Sequence, residues 1–150
     1  MDRMHFPSGQ GDANEAFGLR RVIRVRPEHT GGAFAIFEEN VPEGAGPPLH
    51  VHQREHETFT VIEGRIRFRA AEEEFVAEAG DIVLIPPGTP HTFQGKGPGI
   101  ARALVQLSPG AAAGFFEAVT AEGLSPPADM ARIEEIAAAH NIAFVGPPLD

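Results

Sequence analysis

The sequence contains no cysteine, no tyrosine and no tryptophan, and its one lysine is Lys96. Without cysteine, no disulfide, thiolate ligand or thiol nucleophile is available. Without tyrosine and tryptophan, any acid–base or redox role for those side chains is excluded. Aromatic character rests on phenylalanine alone, present 11 times. Positive charge is also scarce. The net charge is −9, and no group of arginines stands clear of acidic neighbours, which argues against nucleic acid as a partner. No apolar run approaches membrane-spanning length. Residues 1–7 lack the apolar core of a signal peptide, so a cytoplasmic protein is expected. The 150 residues suffice for one domain with its own core.

What the sequence does have is a dense polar stretch, His50-Val51-His52-Gln53-Arg54-Glu55-His56-Glu57. Side chains at i and i+2 of a strand point to one face, so His50 and His52 aim into a shared volume. Glu57 follows them at odd offsets and cannot join them on one straight strand. The chain must turn through Gln53-Arg54-Glu55-His56 before Glu57 opens a second strand. Downstream, a strand over residues 82–85 runs into Pro86-Pro87-Gly88-Thr89-Pro90, which bends sharply. His91 emerges on the far side of that rigid turn. Three imidazoles and a carboxylate meeting inside an apolar shell would be costly unless paired. A metal ion satisfies all four at once.

The remainder of the chain reads as short strands. Residues 1–16 are polar and Gly-rich and are expected to form a flexible tail. Strands are expected over residues 17–25, 33–38, 57–63, 65–69, 75–78, 82–85, 92–94 and 100–107. Ile66 and Phe68 alternate with Arg65, Arg67 and Arg69, the period of a half-buried strand with its cations in water. Eight or nine short strands with frequent turn signals and no helix among them indicate an all-β sandwich or barrel.

The character changes after Leu107. Ser108-Pro109 resembles an N-cap and first helical position for a helix reaching about Glu122, which buries Phe115, Phe116 and Val119. Asp129 is placed to cap a second helix over residues 130–139. Residues 141–145 form a short extended segment. Residues 108–150 hold too few large apolar side chains for a core of their own, so they are expected to pack on the barrel of residues 17–107.

Other polar and aromatic residues have plainer readings. His56 neighbours Glu57 as a competing ligand or a group supporting one, and His5, His29 and His140 read as surface or cap residues. Most phenylalanines read as core. Phe59 and Phe93 each lie two residues beyond a proposed ligand, on the same face by parity. They are therefore the candidate substrate-binding pair.

The two polar stretches resemble the motifs of the cupins. The first motif has the form G-x5-H-x-H-x4-E-x6-G, met here by Gly44, His50, His52, Glu57 and Gly64. The second has the form G-x5-P-x-G-x2-H-x3-N, met by Gly80, Pro86, Gly88 and His91, with Gly95 standing where the motif has asparagine. The resemblance covers roughly residues 17–107. It implies a double-stranded β-helix, or jelly-roll barrel, carrying a short C-terminal helical extension. It implies one divalent transition metal (Fe, Mn, Ni, Cu or Zn) on His50, His52, Glu57 and His91. Among cupins the chain resembles the quercetin-dioxygenase type, which implies an oxygenase of a small enol or aromatic substrate with Glu57 as both ligand and catalytic base. A metal-dependent isomerase, lyase or cyclase, or a binding module without turnover, uses the same pocket. Small cupins often pair, so a homodimer is expected.

Overall fold

The computed structural model describes residues 3–150. Among these, eleven strands and two α-helices are formed, in the order β1 (Asp12–Ala16), β2 (Leu19–Val25), β3 (Ala35–Val41), β4 (His50–His52), β5 (His56–Glu63), β6 (Arg65–Ala70), β7 (Glu73–Glu78), β8 (Ile82–Ile85), β9 (His91–Gly95), β10 (Ala101–Ser108), α1 (Ala113–Ala121), α2 (Met130–Ala139) and β11 (Ile142–Phe144). The strands make two antiparallel sheets, β1-β2-β3-β10-β5-β8 and β11-β4-β9-β6-β7. This is the expected all-β jelly-roll sandwich.

Alternation builds the interior. Ala101, Ala103, Val105 and Leu107 of β10 point inward, as do Phe59 and Val61 of β5 and Ile66 and Phe68 of β6. Phe59 packs edge-on against Phe68 and Phe93, with ring centres 5.1 and 5.4 Å apart, so these three rings bind the two sheets together. The arginines of β6 face outward, where Arg65 meets Glu78 at 3.4 Å and Arg67 meets Glu74 at 3.8 Å.

Three local expectations need correction. Residues 12–16, expected in the flexible tail, form β1, whose Ala13 to Ala16 pair with Leu19 to Val22. The signal was the turn at Phe17-Gly18, both with positive φ, which closes a hairpin where a continuous strand from Phe17 was expected. Ser108 ends β10 and does not cap α1, which starts four residues later than expected of Pro109, at Ala113. Asp129 does occupy the position before α2, but its carboxylate accepts the Ser125 N–H in the preceding turn and no helix N–H. The C-terminal region also contributes more than helices. β11 pairs with β4, setting Ile142 opposite His52 and Phe144 opposite His50.

Gly95, the departure from the asparagine motif, has a steric cause. A Cβ there would overlap the Pro42 carbonyl, whose carbon would lie 2.7 Å away. The close approach is fixed by hydrogen bonds from Gly44 N–H to Gly95 O and from Gly95 N–H to Ala45 O, both 3.0 Å. No side chain fits without moving the loop that leads to His50.

Candidate metal centre and its cavity

The two sheets each bring part of the centre. β4 and β9 are neighbours in the five-stranded sheet, and their register places His50 directly opposite His91. Glu57 comes from β5 in the other sheet, facing inward between Leu107 and Ile85. The turn required by the odd offset is therefore a crossing from one sheet to the other. Glu55, 1% exposed, pins that crossing: its Oε2 accepts the Ala112 N–H at 3.2 Å, tying the turn to the loop before α1.

His50, His52, Glu57 and His91 are all buried, and one ligand atom from each lies within 4.8 Å of the other three. The ring centres of His50 and His91 are 4.3 Å apart. His91 Nε2 lies 3.0 Å from Glu57 Oε1, and His52 Nε2 lies 3.7 Å from the same oxygen. The opposite nitrogens are held from behind. His50 Nδ1 is 2.8 Å from Pro48 O, and His91 Nδ1 is 2.8 Å from Thr89 O. A carbonyl accepts only, so each Nδ1 carries a proton and each Nε2 is turned toward the centre of the cluster. His91 Nε2 and Glu57 Oε1 meet there at a distance that either a shared proton or a bound cation satisfies.

The electrostatics agree. Burial, followed by the neighbouring His91 and His52, holds His50 well below its usual range, so it is neutral and ready to ligate. Burial also lowers His52, with Glu57 opposing and His91 and Arg21 adding to the effect. For Glu57, burial pushes the carboxyl up, but the summed pull of His52, His91 and His50 wins and brings it to about 2. An ionised carboxylate and the lowered imidazoles of His50 and His52 are the states a divalent cation needs.

Phe59 and Phe93 line the same cavity, at its floor, where both are almost wholly buried. Its outer walls were not foreseen. They include Phe17 from the β1–β2 turn, Phe116 from α1 and Phe144 from β11. Phe144 lies 5.7 Å from Phe17 and 6.2 Å from His50, between ring centres. The space left is about 20 Å³, room for water but not for a ring. His56 is exposed at the start of β5, away from the cavity.

Sequence reasoning also missed two charged residues in this wall. Arg21 of β2 and Glu39 of β3 are directly opposite each other across the strands and face inward, 3% and 1% exposed. Arg21 Nε lies 2.9 Å from Glu39 Oε2. The signal existed in parity: Arg21 shares a face with Leu19 and Ile23, and Glu39 shares one with Phe37 and Val41. A run of arginines in β2 obscured it.

Residues 37–107 match the family model of the cupin domain, a span that contains all four clustered residues. That match spans just under half of the chain, and the fold described above is the cupin fold. Among curated relatives, quercetin 2,3-dioxygenase of Bacillus subtilis is 32% identical over 88 residues, covering 58% of this chain and 26% of that protein. An uncharacterised protein of Methanocaldococcus jannaschii is 35% identical over 63 residues, covering 42% of this chain and 50% of that one. The chain thus aligns with only a quarter to a half of these relatives' length. Similar solved structures include KdgF from Halomonas sp., with a TM-score of 0.63 and 19% identity over 71% of this chain and 94% of that chain. A predicted oxalate decarboxylase from Thermotoga maritima has a TM-score of 0.64 and 18% identity, covering 70% of this chain and 98% of that chain. At such identities these structures speak for the fold. Among the described residues, no helix is long and apolar enough to cross a membrane.

Proposed function

We propose that this cupin holds one divalent transition metal on His50, His52, Glu57 and His91 and is an oxygenase of the quercetin-dioxygenase type, acting on a small enol or aromatic substrate. The observation that carries the metal is the convergence of four buried ligand atoms within 4.8 Å of one another, with the imidazoles of His50 and His91 held from behind by carbonyls. Iron, manganese, nickel, copper and zinc all suit this donor set. Bound there, the ion would supply the Lewis acidity and oxygen chemistry that the side chains of this chain lack.

The chain's own residues do the rest. Glu57 Oε1 faces His91 and His52, which leaves Oε2 to take the proton of a substrate hydroxyl. A carboxyl held near 2 is a weak base, so this transfer requires Glu57 to turn away from its imidazole neighbours. Phe59 and Phe93 form the apolar floor that a flat substrate would rest on, and the outer phenylalanines exclude water.

The narrow cavity favours a second reading as well. A flavonol does not enter unless Phe17 or Phe144 moves, whereas a two- or three-carbon compound needs far less room. A metal-dependent isomerase, lyase or cyclase, or a non-catalytic binder of such a ligand, requires a smaller movement of those rings than a flavonol does. Purified protein should be assayed for metal and then for oxygen uptake with flavonols and smaller enols. Uptake that depends on His91 supports the oxygenase. Turnover of a carbonyl substrate without oxygen uptake, or binding without product, moves the assignment to the second reading. A homodimer belongs to the same proposal, supported by exposed Ile62, Ile82, Leu84 and Leu104 on the outer face of the six-stranded sheet. Sedimentation at the monomer mass would remove it.

A further inference from the structure

Arg21 differs from the other arginines of the chain. Its side chain is 4% exposed, and it lines the cavity shared by His50, His52 and Glu57. Its guanidinium lies 3.6 Å above the Phe116 ring and 5.9 Å from the centre of Phe37. Those rings fix its plane. Glu39 is close, at 2.9 Å, yet neither Nε nor Nη1 of Arg21 makes a hydrogen bond, and neither oxygen of Glu39 does. A buried arginine that serves only as a structural counterion is expected to be paired fork to fork, with two aligned N–H···O bonds. This one meets Glu39 through Nε at 2.9 Å without good alignment, and its Nη1 has no partner at the wall of the cavity.

The charges point the same way. With three neutral imidazoles and an ionised Glu57, a divalent ion leaves the centre with one net positive charge. Arg21 adds a further positive charge, which Glu39 cancels only in part because burial pushes its carboxyl up to about 8. An anion would offset that charge, and the guanidinium at the cavity wall is the group that would hold it. An apolar pocket with a few placed polar groups is the usual form of a small-molecule site.

We propose that Arg21 is a specificity-determining residue that binds the carboxylate of a small hydroxy or oxo acid, while the hydroxyl or oxo group of that substrate faces the His50, His52, Glu57 and His91 cluster. This rests on the function proposed above for the location of the metal and adds the substrate's chemical class. Glu39 competes with the substrate carboxylate for the guanidinium and keeps Arg21 charged and placed when the cavity is empty. Phe116, 3.6 Å beneath the guanidinium, holds it in the cavity wall.

The test uses glycolate, lactate and 3-hydroxybutyrate, each against its neutral amide, titrated calorimetrically into metal-loaded and metal-free protein. The wild type is expected to bind at least one acid tenfold or more tighter than its amide. Glu39→Gln removes the competing carboxylate and is expected to tighten acid binding further, and to raise the midpoint of thermal unfolding more strongly when acid is added. Arg21→Gln combined with Glu39→Gln is expected to bind acid and amide alike, with unchanged metal content. A purely structural ion pair predicts that Glu39→Gln leaves acid binding unchanged or weaker, and that result overturns the proposal. An acid preference that survives in the double variant overturns it too. The metal-free titrations separate the two readings. If no metal binds but the acid preference still depends on Arg21, the metal assignment fails and the Arg21 assignment stands.

Discussion

His91 Nε2 and Glu57 Oε1 face each other across 3.0 Å, from different sheets, while the far nitrogen of the same imidazole is held by Thr89 O. That pair welds the two halves of the sandwich at the centre of its cavity. With Nδ1 held by Thr89, Nε2 of His91 is fixed toward Glu57 and the other two imidazoles, in the centre of the four-residue cluster.

Replacing His91 by alanine should reduce metal affinity by more than the roughly 10–100-fold that loss of a supporting group around a metal typically costs. Elemental analysis after dialysis checks this. For the wild type, metal at a hundredfold excess over its dissociation constant should add about 2.7 kcal/mol to stability. In a chain of this size that corresponds to roughly 5–10 °C in Tm. A chelator should reverse the gain, and His91→Ala should not show it.

The metal-free protein should lose stability as the solution becomes acidic. His50 is lowered on folding, first by burial and then by His91 and His52. Below its unfolded value of about 6.5, the unfolded chain binds a proton that the folded chain refuses. The stabilising contribution of neutral His50 is therefore complete above that pH and declines as pH falls through and beyond it. Glu57, brought down to about 2, acts with the same sign at lower pH. Urea titrations between pH 8 and pH 4 should show a falling midpoint, and His50→Gln should flatten the upper part of that curve. A midpoint independent of pH in this range would contradict the buried neutral imidazole.

Restoring the asparagine of the motif should harm this protein. Gly95→Asn places a Cβ against the Pro42 carbonyl, in a loop tied down by two backbone hydrogen bonds. Overpacking of this kind costs about 1–3 kcal/mol. Thermal unfolding compared with the wild type measures it, and a neutral or stabilising effect would show that the 42–45 loop yields easily.

Phe144→Ala should widen the cavity at its mouth. Phe144 stands beside both Phe17 and His50 and is only partly buried. The stability loss should be smaller than the roughly 3–5 kcal/mol typical of a fully buried phenylalanine. Binding of catechol to the metal-loaded protein should strengthen relative to the wild type. Equal affinities in the two proteins would mean that this ring does not limit entry.

Much of this centre was legible from local rules. The i, i+2 spacing put His50 and His52 on one face, and the odd offset of Glu57 demanded a turn, which is the crossing between sheets. The rigid segment before His91 marked where the third imidazole begins a strand. Arg21 and Glu39 were harder to read. Each follows the inward parity of its own strand, but only the register of β2 on β3 sets one opposite the other. β1 was hidden because its five residues carry little apolar pattern and are held largely by pairing with β2.

The amino-acid sequence by itself determined the strands, the ligand types and their spacing, because a period of two and the stiffness of proline act over a few residues. Tertiary structure decided how wide the cavity is and what charge its wall carries. Those properties arise where Phe17, Phe116 and Phe144 meet over the cluster, and where Arg21 lines the cavity beside His50, His52 and Glu57. They depend on which segments pack together across the whole chain, and no local rule specifies that.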